Sequence, residues 1–486
     1  MSETYAFGAA VAAVSGVGLL ALLSNRLTER IRVPAPLLLL VVAAVVVAII
    51  PDLHAPPDNV VERLVSIALA LILFDGGLHM GWVRFRSALV PIAVVGVAGT
   101  FLTTAGAALF LHLAVGLSWY PSLLVAAAVA PTDPAVVFSV LGRREIAGRS
   151  ATILEGESGA NDPVGIALMS SLISAESLGA GPFAHVIGQF VLQMAIGGAL
   201  GVIGGLGLRW FVRAVPLPNA GLHPLRTLAC ALILFGLGTF AHGSGFLAVF
   251  LAGILLGDTP APYEREVRQF HAALASLGEI VAFVVLGLTV DLDVLGHLDV
   301  WLPGLALAVV VAILVRPIAV GLSLISAQLT SAERNFVLFA GLKGAVPILL
   351  GASIVAAHVP DASQLYGIVI IVVVASVLVQ GSFTPAVATW LHLPVRLVEP
   401  EPWAVGLRLR DEPDNTHRFL VEPGSVAEGR RLDDLDDLPD GARLALVVRD
   451  GHVRGVDAST RLIAGDQILV VAEPEHASEL RAIFCA

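Results

Sequence analysis

The chain has 486 residues, of which 57% are hydrophobic and only 14% charged, and its mean hydropathy is +0.87. A water-soluble chain of that length cannot hide so much apolar surface, so composition excludes a soluble globular protein and indicates one that crosses a membrane many times. The net charge of −11 is spread unevenly, with ten of the 28 Lys and Arg residues after residue 400, and no basic cluster with interleaved aromatics points to nucleic acid.

Apolar runs, split at charged or Pro/Gly-rich joints, give about thirteen expected spans. They fall near 6–24, 33–50, 60–79, 88–115, 121–141, 152–174, 184–211, 225–242, 245–257, 267–289, 301–326, 335–357 and 365–391. The first run follows Glu3 and precedes Arg26, Arg30 and Arg32. A cleaved signal peptide carries its positive charge in front, so this run is expected to stay as a helix.

Arginines concentrate in alternate joints: Arg84 and Arg86 after the third run, Arg143, Arg144 and Arg149 after the fifth, Arg209, Arg213 and Arg226 around the joint after the seventh, Arg334 after the eleventh. The positive-inside rule then puts the N-terminus outside and the C-terminus in the cytoplasm. Run five is broken by Pro131-Thr132-Asp133-Pro134 and run twelve by Gly341-Leu342-Lys343-Gly344-Ala345-Val346-Pro347. The two runs are opposite in direction and seven apart, as expected for inverted six-helix repeats whose discontinuous helices cross at a midplane ion site.

Composition changes after Leu393. Pro394 to Pro402 reads as a linker, and short alternating or β-branched runs at 418–421, 442–448 and 467–471 are separated by Pro-Gly, Asp-Gly and Gly-Asp turns, with a last helix over 476–483. The expected division is a transmembrane domain over 1–395, a linker over 396–403 and a small cytoplasmic α+β domain over 404–486.

A charge at the centre of a membrane helix costs at least ~2.5–3.5 kcal/mol, so acids inside apolar runs mark an ion or proton route. In run six, read as a helix, Glu155, Ser158 and Asp162 share one face, and Glu157 and Asn161 a neighbouring one. Carboxylate, amide and hydroxyl oxygens form a hard donor set suited to a desolvated alkali cation. Loss of water favours the neutral form of a carboxylate, so a proton competes for the same group. Asp75 in run three is a further route candidate, and Arg316 and Lys343, the chain's one lysine, read as struts that pair with carboxylates. The cysteines, Cys230 and Cys485, lie in unlike surroundings, and neither a disulfide nor a metal site is expected.

Thr132-Asp133-Pro134, Glu155-Gly156-Glu157-Ser158-Gly159-Ala160-Asn161-Asp162-Pro163 and Gly341-Leu342-Lys343-Gly344-Ala345-Val346 resemble, in that order, the monovalent cation:proton antiporters of the NhaP-like branch, over residues 5–395. The resemblance implies a homodimer in the cell membrane, with a core domain that moves like an elevator against a dimerisation domain. It implies that Asp162 carries cation or proton, with Asn161 beside it. Thr132 and Ser158 take cation-ligand positions, Asp133 that of a supporting acid, and Asp75 one often held by glutamate. Glu157 is expected to pair with the basic residue of run twelve, usually arginine and here Lys343. An Asn-Asp pair goes with electroneutral one-for-one exchange.

The tail is similar to the TrkA-C (RCK-C) modules of potassium regulators through Val421-Glu422-Pro423-Gly424-Ser425 and Gly465-Asp466-Gln467-Ile468-Leu469-Val470-Val471. It favours K⁺ over Na⁺ and implies a small effector, a nucleotide or a divalent ion, at a dimer seam. No G-x-G-x-x-G fingerprint precedes it, so NAD is not expected, and no other cofactor is implied. The expected function is K⁺/H⁺ antiport, not an enzyme activity, with Na⁺/H⁺ antiport as the variant. A gated K⁺ channel lacks a filter loop here, and a hydrolase built on Ser158 lacks a partnering histidine.

Overall fold

A computed structural model of the chain describes residues 16, 19, 35–49, 56–134, 137, 144–146, 149–175, 182–259, 261–324, 327, 329–393, 395–397, 416–435, 438–439, 441–449, 452–457 and 459–485. The expected first span, 6–24, and the expected linker from 398 onward therefore lie outside the described residues, but for two isolated positions. The chain divides into two compact units, residues 1–398 and 399–486.

The first unit is helical. Its elements are α1 (Ala35–Ile49), α2 (Asp58–Ser87), α3 (Leu89–Val115), α4 (Trp119–Val129), α5 (Arg149–Ser174), α6 (Pro182–Ala214), α7 (Leu222–Phe240), α8 (Gly245–Gly257) and α9 (Glu264–Gly287). They are followed by α10 (Leu298–Ser323), α11 (Ser331–Phe339), α12 (Ala345–Ala356) and α13 (Ala362–Trp390). Among the described residues seven helices are long and apolar enough to cross a membrane. Two short strands, β1 (Arg144–Ile146) and β2 (Val395–Leu397), pair antiparallel and join the segment after α4 to the segment after α13. Nothing in the sequence marked that pairing.

The helices sort into two bundles by what they pack against. One comprises α1, α2 and α6 to α9; the other comprises α3, α4, α5 and α10 to α13. Within the first, α8 lies so close to α2 that a side chain at Gly253 would strike the Phe74 carbonyl and one at Gly257 the Leu78 carbonyl. Small residues four apart let two backbones touch in lipid, where no hydrophobic force between helices is available. The two bundles meet along a seam where α5 packs on α2 and α6, and α12 packs on α2 and α9.

The second unit has a four-stranded antiparallel sheet in the order β3 (Thr416–Leu420), β6 (Gln467–Val471), β4 (Arg443–Arg449), β5 (His452–Arg454). A bulge shifts the β4–β6 register between Leu444 and Leu446. The helix α14 (Ala477–Phe484) buries Leu480, Ile483 and Phe484 with Val447, Ile468 and Val470. Asp466 is fully buried and is held by Arg449 through two bonds, Nε to Oδ1 at 2.8 Å and Nη2 to Oδ2 at 2.7 Å. It also accepts the Ile463 amide at 2.9 Å.

Removing one partner of a buried ion pair strands the other, at a cost of about 3 kcal/mol for a pair whose arginine is partly in water. Asp466→Ala is therefore expected to make the tail of the full-length protein sensitive to protease at doses that leave wild type whole, while the membrane unit stays intact. Equal resistance of the two proteins contradicts the assignment.

Candidate site at the crossing of two broken helices

α4 stops at Val129 because prolines at 131 and 134 remove backbone donors and clash with a continuing turn. Residues 131–133 are non-helical, and Pro134 and Val137 are again helical. α11 stops at Phe339 and α12 starts at Ala345, leaving 340–344 unwound. The two breaks touch. The Asp133 amide donates to the Leu342 carbonyl at 2.8 Å, and a side chain at Gly344 would collide with the Asp133 carboxylate.

The last carbonyls of each half-helix have no partner within the helix and carry the negative end of its dipole. In both cases a buried cation meets them. Lys343 Nζ donates to the carbonyls of Ala130 at 3.1 Å and Pro131 at 3.2 Å, at the end of α4. Arg316 donates through Nε to Leu338 O and through Nη2 to Val337 O, both at 3.1 Å, at the end of α11. Its side chain crosses directly over Gly341, where a Cβ would overlap the guanidinium. Gln380 of α13 completes the second cap, donating to Phe339 O at 3.2 Å. It also accepts from the Ser376 hydroxyl, which in turn accepts the Lys343 amide at 3.3 Å. Arg316 follows a wide π turn over Val311–Val315, and Ser376 and Gln380 lie in another over Ser376–Gly381. Such turns recur where a helix must re-aim polar groups.

Arg316 also grips Glu157 of α5, Nη1 to Oε1 at 2.7 Å and Nη2 to Oε2 at 3.2 Å, with both side chains at most 4% exposed. The expected Glu157–Lys343 pair is thus corrected: Glu157 pairs with Arg316, and Lys343 serves the α4 carbonyls instead. The reason is geometric. Lys343 sits inside its own break, against the backbone of the other, whereas Arg316 approaches from a third helix with a fork that fits a carboxylate.

A chain of donors leads from this pair. The Thr132 hydroxyl donates to Glu157 Oε1 at 3.4 Å, so its oxygen is left to accept from Asn161 Nδ2 at 2.8 Å. That fixes the amide with Oδ1 pointing away, and Asn161 Oδ1 is buried with no hydrogen-bond partner among the described residues. Asp162 follows, 8% exposed, and accepts no hydrogen bond from a described residue. Ser158 lies one turn back on the same helix, also buried. Of the other acids of α5, Glu157 is neutralised by Arg316 and Glu155 is held at the rim by Arg84 at 2.9 Å.

Thr132, Asp133, Glu157, Asn161, Arg316 and Lys343 are therefore brought together as contacts, and Ser158 and Asp162 flank them on α5. No hydrogen bond or ion pair joins Asp75 to them among the described residues; it lies on α2 with its carboxylate 3.3 Å from His79 Nδ1. Ser376 and Gln380 support the site and were missed by sequence reasoning, although a glutamine inside an apolar run is the signal that could have found them.

Two broken helices crossing in a membrane bundle, with fixed cations on their ends and an Asn-Asp pair alongside, define a secondary ion transporter. The chain belongs to the sodium/hydrogen exchanger family, whose transmembrane region matches residues 17–390, and residues 416–484 match the TrkA-C domain. It is 38% identical over 333 residues to the K⁺/H⁺ antiporter NhaP of Alkalimonas amylolytica, a match that covers 68% of this chain and 57% of that protein. It is 32% identical to the K⁺/H⁺ antiporter NhaP2 of Shewanella oneidensis, over all of this chain and 83% of that one. The fold is shared with the sodium proton antiporter MjNhaP1 from Methanocaldococcus jannaschii, with a TM-score of 0.66 at 22% identity over 79% of this chain and 100% of that one.

Arg316→Ala leaves Glu157 charged and unpaired in low dielectric and is expected to cost about 3–5 kcal/mol. Lys343→Ala strands two carbonyls only, at about 1–3 kcal/mol. Thermal unfolding of the two purified variants is expected to rank Arg316→Ala well below Lys343→Ala. The reverse order would return Lys343 to the role of Glu157's partner.

Proposed function

We propose that the chain is a secondary antiporter that exchanges K⁺ for H⁺ across the cell membrane, one for one. The observation that carries this reading is Asp162, a buried carboxylate that accepts no hydrogen bond among the described residues, next to an amide oxygen that also lacks a donor among them. A bare cation supplies what both oxygens need, and a proton on the carboxylate serves the same purpose for Asp162 alone. The two states exclude each other. When K⁺ binds to Asp162, Asn161 Oδ1 and the Ser158 hydroxyl, the proton leaves to water on the open side; when the proton returns, the cation goes. Thr132 and Asp133 hold the crossing in register, and Asp75 stands by the route on α2 rather than in the site.

The carboxylate is then carried from one face to the other as the bundle that contains α4, α5, α11 and α12 slides against the bundle that contains α2, α8 and α9. In this reading the chain has about thirteen spans in two inverted repeats, an outside N-terminus and a cytoplasmic tail. It works as a homodimer, and the TrkA-C unit regulates exchange through a nucleotide or divalent ion at the dimer seam. The names of the relatives, both K⁺/H⁺ antiporters, and the presence of that unit support K⁺ over Na⁺.

Asp162→Asn in liposomes is expected to abolish K⁺-driven proton release while the protein melts like wild type. Full exchange by this variant contradicts the site. Na⁺ at the same concentration is expected to drive wild type more slowly than K⁺, and faster exchange with Na⁺ contradicts the choice of ion while leaving antiport in place.

A further inference from the structure

The seam between the bundles ends in a cavity of about 130 Å³ at the C-terminal end of α12. Leu349, Ala352, Ser353 and Ala356 line it, and their spacing puts them on one face of α12. Ala345, the first residue of that helix, lies about 16 Å further down, immediately after the broken-helix crossing. Cavity and site are therefore two ends of one helix that packs on both α2 and α9. Asp58 and Asp291 stand at the cavity wall and give it the sign that attracts cations.

A hydrogen bond between the two bundles lies in the wall of this cavity. Tyr366 of α13 and Thr289, just past the end of α9, meet at 2.9 Å between Oη and Oγ1. The Thr289 hydroxyl gives its own proton to Leu286 O at 2.8 Å, so Tyr366 is the donor. The tyrosine is 5% exposed, and its ring fills the space that a side chain at Gly351 would need. The ring's seat against α12 lies within its own bundle, so it is the hydroxyl's bond to Thr289 that depends on the two bundles being in register. At another point on the seam, Arg84 of α2 and Glu155 of α5 make an ion pair partly in water. An exposed pair contributes little, so the buried Tyr366–Thr289 bond is firmer than that ion pair.

We propose that the cavity is the mouth of the transport route on the face where α12 ends, and that the Tyr366–Thr289 bond is the bolt that holds that mouth closed. Sliding of the bundles breaks it. Tyr366 and Thr289 then set how often the route opens there without touching the transported ion. The inference rests on the exchange reading above, since only alternating access requires the seam to part.

The test reads opening directly. In a background of Cys230→Ala and Cys485→Ser, Ser353→Cys places a thiol in the cavity. The protein is held in nanodiscs, where both faces are open to a charged, membrane-impermeant thiol reagent. Tyr366→Phe and Thr289→Val are each expected to speed modification at position 353 about two- to tenfold, the worth of one hydrogen bond. The double variant is expected to be no faster than the faster single one, because both remove the same contact. Unchanged or slower modification in the variants overturns the proposal, as does full additivity. If one single variant fails to fold, the other carries the test. The labelling needs no transport, so a wild type that exchanges no cation in a parallel assay sinks the exchange reading and leaves the result on the bolt standing.

Discussion

The Arg316–Glu157 pair is the interaction on which the rest of the site depends. Two charges removed from water cost several kcal/mol each, and a bare pair seldom recovers that. Here the guanidinium makes two bonds to the carboxylate and two to the ends of α11, and Glu157 also accepts from Thr132. The return is position rather than stability. The pair ties α5, α10 and α11 together, fixes which way Thr132 donates, and through Thr132 fixes which way the Asn161 amide faces. An oxygen left without a donor beside Asp162 is a consequence of that order.

Lys343 and Arg316 do the same electrostatic work at the two breaks. Each puts a positive charge where a half-helix ends in bare carbonyls, which is where a cation offsets the helix dipole best. They differ in reach and in partners. Lys343 meets backbone only, as a compact ammonium can, while the fork of Arg316 spans a carboxylate and a helix end at once. With Glu157 held by Arg316 and Glu155 by Arg84 at the rim, Asp162 is the acid of α5 that makes no ion pair among the described residues.

The sequence exposed the residues of the site more readily than their pairing. Acids, prolines and a lysine inside apolar runs are costly, and their positions led to both breaks and to the Asn161–Asp162 pair. Spacing along one helix says nothing about which residue of another helix it meets, so Glu157 was given the wrong partner. Asp75 stood out for the same reason as the others, yet its contact is with His79 on its own helix. Ser376 and Gln380 are uncharged, so they stand out less in their apolar run than the acids and the lysine do. In the tail, alternation located β3, β4 and β6, but the three polar-flanked residues of β5 carry no such pattern. The β1–β2 pairing joins segments some 250 residues apart and has no local signature.

The central claim is that one carboxylate holds either a proton or a cation. The measurement that tests it most directly is the apparent KM for K⁺ against pH in proteoliposomes with equal pH on both sides at the start. Competition at a single group requires KM to fall about tenfold per pH unit on the acid side, with a constant maximal rate at saturating K⁺ over that range. A KM independent of pH, with the loss at low pH appearing only in the maximal rate, would contradict it.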